Sequence, residues 1–386
     1  MNLHRSERPK ILFLFSDTGG GHRSAAEALI EAVNLEFPGQ FTTEMVDIFK
    51  NAPSPLNLAI PSYPVLTQVP TIWEISYSIF AGRRRVIIAN SVLGPYVRQS
   101  YTQLIEDHPC DIYVSVHPVP IHQFLEILEE KDGSRPPFLT VITDLVTTPA
   151  FWYDRRSDLI VVPTEAARTR GVKLGMREEQ FKVIGLPVAD RFCQPKDRRA
   201  IRERLGWPQD LPMIVIVGGG EGMGPLGKNA LAIDKARLPA GVAVVCGRNK
   251  RLKDRLQAHE WNIPAYIYGF VREMPDFMAA ADVLVSKAGP GTISEAFISG
   301  IPLILYSRMP GQEDGNVAYV MEEGAGIWAP QPKLLVQALR DWLVHPEKRI
   351  AAGQAAKRLA KPQASRQIAR LIAESVGITQ PSGGKE

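Results

Sequence analysis

The sequence predicts an α/β protein of two domains, each built on a parallel sheet. Three observations carry this. Short apolar runs alternate along the whole chain with longer stretches of 3.6-residue periodicity. The length of 386 residues is too great for one ordinary core and suits two. The segment GLPVADRFCQPKDRRAIRERLGWPQDLP encloses a charged helix between prolines before a fresh strand begins, which puts a boundary near residues 187–200. We expect an N-terminal domain over 1–190 and a C-terminal domain over 191–386, with the final helices able to pack back on the first domain.

In the first half the strand candidates are Ile11–Ser16, Thr43–Val46, Ile112–Val116, Leu139–Thr143 and Leu159–Val162. In the second half they are Met213–Val217, Val242–Cys246, Ala265–Tyr268, Val283–Ser286 and Leu303–Tyr306. Most are short apolar runs, as strands buried on both faces require. Between them, TEAARTRGVKLG and GTISEAFISG show helical spacing. A helical stretch from about Glu347 to Glu374 precedes a polar tail. Residues 51–101 break the pattern, with six prolines, several aromatics and the cluster Arg83-Arg84-Arg85. They read as a long, weakly patterned insert.

Composition narrows the function. A formal charge of +4 is too small for a polybasic nucleic-acid binder but suits an acidic partner such as a nucleotide phosphate or an anionic lipid surface. Three dispersed cysteines, with no CxxC, fit neither a disulfide framework nor a structural zinc site. The N-terminal apolar run is too short for a signal peptide. No run of roughly 18 apolar residues is present, so nothing in the sequence reads as a bilayer span.

The chemistry gathers at glycine turns. SDTGGGHRSAAEA carries a strand through Gly19, Gly20 and Gly21 into a helix, with His22 at its mouth. A helix N-terminus disfavours a protonated imidazole, and a neutral histidine at a cleft edge suits a general base. VSVHP and VITDL end two further strands with polar groups, so His117 and Asp144 are expected near His22, Asp144 as its orienting carboxylate or else as a helix cap. A second turn, GGGEGMGP, contains Gly219 and Gly220. A third sets Gly289-Pro290-Gly291-Thr292 where backbone amides can hold a diphosphate, with Glu295 one turn on, in reach of ribose hydroxyls. A fourth, PGQEDGNVAYV, offers Gln312, Glu313 and Asn316 to a sugar's hydroxyls.

These motifs, with TVITDL, GLPV and CGRNKRL, occur here in an order and spacing that resembles monogalactosyldiacylglycerol synthase, a family related to the glycosyltransferase that acts on lipid I. The resemblance runs from about residue 10 to 345. It implies a GT-B fold, two Rossmann-like domains facing across a cleft. It implies an inverting enzyme that moves galactose from UDP-galactose to the sn-3 hydroxyl of diacylglycerol, with His22 as base; the fold needs no metal or cofactor for this. Glu295 matches the ribose carboxylate, Gln312, Glu313 and Asn316 the donor-sugar loop, and Phe270 and Met274 the segment around the uracil. Arg248 and the helix N-termini would offset charge on the departing UDP.

Where plant members carry a CHPTWFH-like run, this chain has Thr148–Asp154, TPAFWYD, without either histidine. It also shows no plastid transit extension, so we expect a cytoplasmic protein on the inner face of the cell membrane. Diacylglycerol must be met at a bilayer surface. Trp73, Tyr77 and Phe80, spaced four and three apart, could insert there beside the anion-seeking Arg83, Arg84 and Arg85. A UDP-glucose-dependent transferase, a nucleotide-sugar epimerase of the same fold and a non-enzymatic sensor are the competing readings.

Overall fold

The computed structural model describes residues 8–17, 20–50, 82–131, 133–222 and 224–379. The chain divides into two compact units, Met1–Asp190 with Gln363–Glu386, and Arg191–Pro362. Trp73, Tyr77 and Phe80 lie outside the described residues, as do the side chains of Arg83 and Arg84.

The first unit is laid down as β1 (Lys10–Phe15), α1 (Gly21–Glu36), β2 (Thr42–Asp47), α2 (Arg83–Asp107), β3 (Ile112–Ser115), α3 (Ile121–Glu130), β4 (Phe138–Val141), β5 (Leu159–Val162), α4 (Glu165–Lys173) and β6 (Phe181–Val183). The six strands pair in parallel in the order β2-β1-β3-β4-β5-β6. Alternation along β1 explains its unbroken apolar run. Ile11, Phe13 and Phe15 join the cluster beneath α1, while Leu12 and Leu14 join the one that takes Val97 and Tyr101 of α2 and Phe124 of α3.

The second unit runs α5 (Arg198–Leu205), β7 (Met213–Val217), α6 (Leu226–Lys235), β8 (Gly241–Val245), α7 (Lys250–Gln257), β9 (Ala265–Tyr268), α8 (Met274–Ala280), β10 (Val283–Lys287), α9 (Pro290–Ser299), β11 (Leu303–Ser307), α10 (Asp314–Glu322), β12 (Gly326–Trp328), α11 (Pro332–Val344) and α12 (Pro346–Leu359). Its sheet is again parallel, ordered β12-β11-β10-β7-β8-β9. Ile214 and Ile216 of β7 and Val283 and Val285 of β10 meet Leu335 and Leu339 of α11 in its core.

Three features depart from the sequence reading. Strands β6 and β12 were not expected: each is three residues long and at a sheet edge, too short to show a period. The C-terminal helical stretch is two helices, α12 and α13 (Ala364–Ser375), parted around Pro362, which cannot donate to a continuing helix. Part of the irregular insert is regular: α2 runs 25 residues despite Pro95 inside it, and the arginine cluster forms its first turn.

Helix α13 belongs to the first unit. Ile368, Ala369, Ile372 and Ala373 pack with Ala26, Leu29, Ala32 and Val33 of α1 in one buried cluster. Small side chains on both helices let them approach closely. Arg366 and Arg370 then close on the nearly buried Glu36, at 3.0 and 2.6 Å. Burial opposes ionisation of Glu36, but the two guanidiniums outweigh it and hold its carboxyl below the usual range.

Candidate functional site

In the first unit the strand order reverses between β1 and β3, where an open α/β sheet leaves a crevice at its carboxyl edge. The chain leaves β1 and passes through Gly20 at φ 77°, a left-handed conformation glycine adopts without strain. Helix α1 then starts with no side-chain cap and no acid in its first turn, so among the described residues no side chain caps its first N–H groups. His22 is its second residue.

The imidazole is fixed from below. Its Nδ1 lies 2.7 Å from the Val116 carbonyl just past β3 and 3.0 Å from Thr143 Oγ1. The carbonyl can only accept, so Nδ1 carries the proton and the lone pair falls on Nε2. Among the described residues Nε2 has no hydrogen-bond partner. The His117 ring stands edge-on at 4.5 Å, and Trp152 lies at 6.3 Å. Burial pushes His22 below the ordinary histidine range, against the opposing pull of the Asp144 charge and the Val116 carbonyl. Burial, with His22 beside it, pushes His117 well below that range. Both rings are therefore neutral at neutral pH.

Asp144 reaches His22 through its charge. Its Oδ2 accepts from Trp152 Nε1 at 2.6 Å, so the carboxylate anchors the tryptophan that flanks the histidine. The carbonyl of Val116, Thr143 and Trp152 are thus part of the site although sequence reasoning named none of them. The segment without the plant histidines is a closed network. Thr148 Oγ1 meets Tyr153 Oη at 2.6 Å, and Asp154 binds Arg156 at 2.7 Å and His122 at 2.9 Å. Among the described residues no group of three or more His, Cys, Asp or Glu could hold a metal ion.

In the second unit the strand order reverses between β7 and β10. Gly219 follows β7 at φ 72°, and Gly220 accepts from Arg248 N at 2.9 Å. The turn after β8 fits against it so closely that a Cβ on Gly247 would lie 2.3 Å from the Gly220 carbonyl oxygen. Arg248 pairs with Glu221 at 2.5 Å and covers the Phe270 ring at 4.9 Å; its side chain is 59% exposed, which puts it at a rim. Met274 opens α8, half-buried.

Gly289 precedes α9 and no side chain caps the helix. Gly291 and Thr292 occupy its first turn, and a side chain at Gly291 would meet nothing within 4 Å. Glu295 is half-buried one turn on, without a hydrogen-bond partner among the described residues. Burial pushes its carboxyl up to about 7, with Arg191 pulling the other way. Gln312 lies in the loop before α10. Glu313, expected to face sugar hydroxyls, has both oxygens on protein partners: Lys287 Nζ at 3.1 Å and Met309 N at 2.8 Å. Asn316 is 2% exposed; its Nδ2 donates to the Ala288 carbonyl at 2.9 Å. Lys287 was not among the candidates.

Comparison with known proteins gives the family. The sequence model described as monogalactosyldiacylglycerol (MGDG) synthase matches residues 22–188, and that of the glycosyltransferase family 28 C-terminal domain matches 213–368. Monogalactosyldiacylglycerol synthase 1, chloroplastic, of Arabidopsis thaliana is 36% identical over 97% of this chain and 73% of its own length. A probable monogalactosyldiacylglycerol synthase, chloroplastic, of Nicotiana tabacum is 38% identical over 96% and 72%. Among solved structures, MurG of Acinetobacter baumannii superposes with TM-score 0.62 at 16% identity, covering 95% of this chain and 99% of its own. A putative UDP-N-acetylglucosamine 2-epimerase of Listeria monocytogenes gives 0.64 at 14%, covering 99% and 100%. At such identities the structures establish the GT-B fold alone, and transferases and epimerases share it. The curated relatives decide between them: this chain belongs to the monogalactosyldiacylglycerol synthase family and is a glycosyltransferase.

Proposed function

We propose that the protein transfers galactose from UDP-galactose to the sn-3 hydroxyl of diacylglycerol with inversion at the anomeric carbon. The observation that carries this is His22. A neutral imidazole whose Nδ1 is tied to the Val116 carbonyl presents Nε2 as the proton acceptor, and among the described residues nothing lies within 4 Å of where a side chain at Gly20 or Gly21 would stand. The acceptor oxygen forms its bond to C1 of the sugar as its proton passes to Nε2. The bond from C1 to the β-phosphate oxygen breaks, and its electron pair leaves with UDP. On the donor side we assign the uracil to the Phe270–Met274 segment, with Arg248 at its rim. The diphosphate goes to the turns at Gly219, Gly220, Gly289, Gly291 and Thr292, the ribose to Glu295, and the sugar to Gln312 and Asn316.

The reaction itself is the test. Purified protein with diacylglycerol and UDP-galactose should give monogalactosyldiacylglycerol, and at least tenfold less lipid product with UDP-glucose, since a site that bonds one hydroxyl orientation leaves polar groups unpaired with the other. Glucolipid as the main product would reassign the donor. A sugar-nucleotide epimer without any glycolipid would reassign the reaction.

The acceptor lives in a bilayer, and we propose peripheral binding to an anionic membrane, the inner face of the cell membrane being the surface a cytoplasmic protein meets. Among the described residues no helix is long and apolar enough to cross a membrane. Helix α2 supports the reading: Ile88, Val92 and Tyr96, four apart, are all exposed and follow the Arg83–Arg85 turn. A cavity of about 240 Å³ lies against the same helix, walled in part by Val86, Ile87, Phe151 and Met176. Each arginine near an anionic leaflet is worth roughly 1 kcal/mol. Replacing all three by glutamine should weaken liposome binding about 100-fold, and 0.5 M salt should weaken the wild type similarly. Binding indifferent to lipid charge would overturn the electrostatic part.

A further inference from the structure

We propose that Lys287 is the cation that grips the donor's diphosphate and offsets charge on the leaving UDP, and that Glu313 is the residue that positions it. This rests on the glycosyltransfer reading above, and its test is separable from that reading.

Position is the first argument. Lys287 is the last residue of β10, at the carboxyl edge, and β10 pairs with β7 where the strand order reverses. That is where a parallel open sheet binds its ligand. Two glycine turns flank the side chain. Its Cε lies 3.4 Å from where a Cβ on Gly219 would stand, and its Nζ lies 3.4 Å from the corresponding point on Gly289. With glycine at both positions, neither of these two residues puts a side chain against the lysine. Helix α9 begins at Pro290 with no side-chain cap, so its first N–H groups add to the same positive field.

Charge is the second argument. The Lys287 side chain is 23% exposed, and an ammonium so placed calls for a counterion. Glu313 supplies it at 3.1 Å and is itself 3% exposed. Its other oxygen accepts from Met309 N, which fixes the carboxylate to the loop before α10. A carboxylate held at both oxygens is suited to aiming the lysine, and the structure assigns it that work in place of binding sugar. Arg248, the other cation at these turns, stands at the rim on Glu221.

Asn316 supplies a third observation. It pins the backbone one residue after Lys287 through the Ala288 carbonyl, while its own Oδ1, buried, has no hydrogen-bond partner among the described residues. A buried acceptor left open beside a cation and an uncapped helix marks a place where a ligand's donor belongs, as a sugar hydroxyl next to a diphosphate would provide.

The full chain can be titrated with UDP and with uridine, by calorimetry and by ligand-observed NMR. Lys287→Met should weaken UDP about tenfold or more and leave uridine unchanged, and it should flatten the salt dependence of UDP binding. Retained uridine binding reports that the variant is folded; Lys287→Arg serves if the methionine variant is not. Glu313→Ala should lose the same discrimination between UDP and uridine, and Glu313→Asp, which keeps a carboxylate with two acceptor oxygens, should restore part of it, whereas Glu313→Gln can accept only one of the two hydrogen bonds and should restore less. Equal losses for UDP and uridine in Lys287→Met, or no loss for either, would make the pair a structural brace and overturn the proposal. Failure of the wild type to bind UDP at all would overturn the glycosyltransfer reading and this one together.

Discussion

His22→Ala should lower turnover by about 10²- to 10⁴-fold, the range for a lost general base, and leave UDP affinity within about twofold. The two readouts divide because His22 sits in the first unit, on α1, while the turns assigned to the nucleotide are all in the second. The pH profile adds a second check. A base works unprotonated, so turnover falls as pH drops through its pKa, and burial holds His22 below 6.5. The acid limb therefore lies below pH 6.5, and the rate is flat across neutrality. Asp144 works in the opposite direction, its charge stabilising the imidazolium. Asp144→Asn can still accept from Trp152 Nε1 but carries no charge, so it should move the acid limb to lower pH as well as slow the reaction. Measured kcat against pH for both enzymes decides this. An acid limb that stays in place in Asp144→Asn would remove Asp144 from the electrostatics of the base, and a His22→Ala enzyme of near-normal turnover would remove the base itself.

What was legible in the sequence follows from what each residue does alone and what it does through register. The long buried strands could be read because both faces demand apolar side chains, as Ile11 to Phe15 show, and the glycine turns could be read because a strand, glycines and a helix follow one another directly. His22 was legible for the same reason. Its hydrogen-bond partner was not, because a backbone carbonyl has no letter: Val116 is defined as the partner only by β3 lying beside β1. Lys287 was hidden similarly. In sequence it is a charge at the end of an apolar run, and its meaning comes from β10 pairing with β7, a neighbour some 70 positions earlier. Glu313 was read as a ligand group because acids on loops often are; the partner that occupies it, 26 residues away, appears only when the sheet is assembled. Helix α2 escaped because the prolines before it and Pro95 within it blur the period that its buried Val97 and Tyr101 obey.

Glu295→Ala should weaken UDP about 10- to 100-fold, the size of hydrogen bonds to a charged group, and weaken UDP-galactose equally, because the ribose is common to both. The stronger test is the pH dependence. Burial pushes the Glu295 carboxyl up to about 7, and no described residue hydrogen-bonds it, so near neutrality the unliganded site is a mixture of protonated and ionised forms. Ribose hydroxyls donate, and an ionised carboxylate accepts at both oxygens, so the nucleotide selects the ionised form and its binding expels a proton. The sign follows. Affinity should rise with pH, by about tenfold between pH 6 and pH 8, and level off once the carboxyl is fully ionised. The β-phosphate of UDP also titrates in this range, which makes Glu295→Gln the necessary control: it keeps the shape, cannot ionise and retains only the dependence due to the phosphate. The difference between the two curves belongs to Glu295. Titrations in two buffers of unequal ionisation enthalpy give the released proton directly. Curves that run parallel from pH 6 to 8 would show that the carboxyl does not change its charge on binding, and the ribose would then have to be held by something other than this residue.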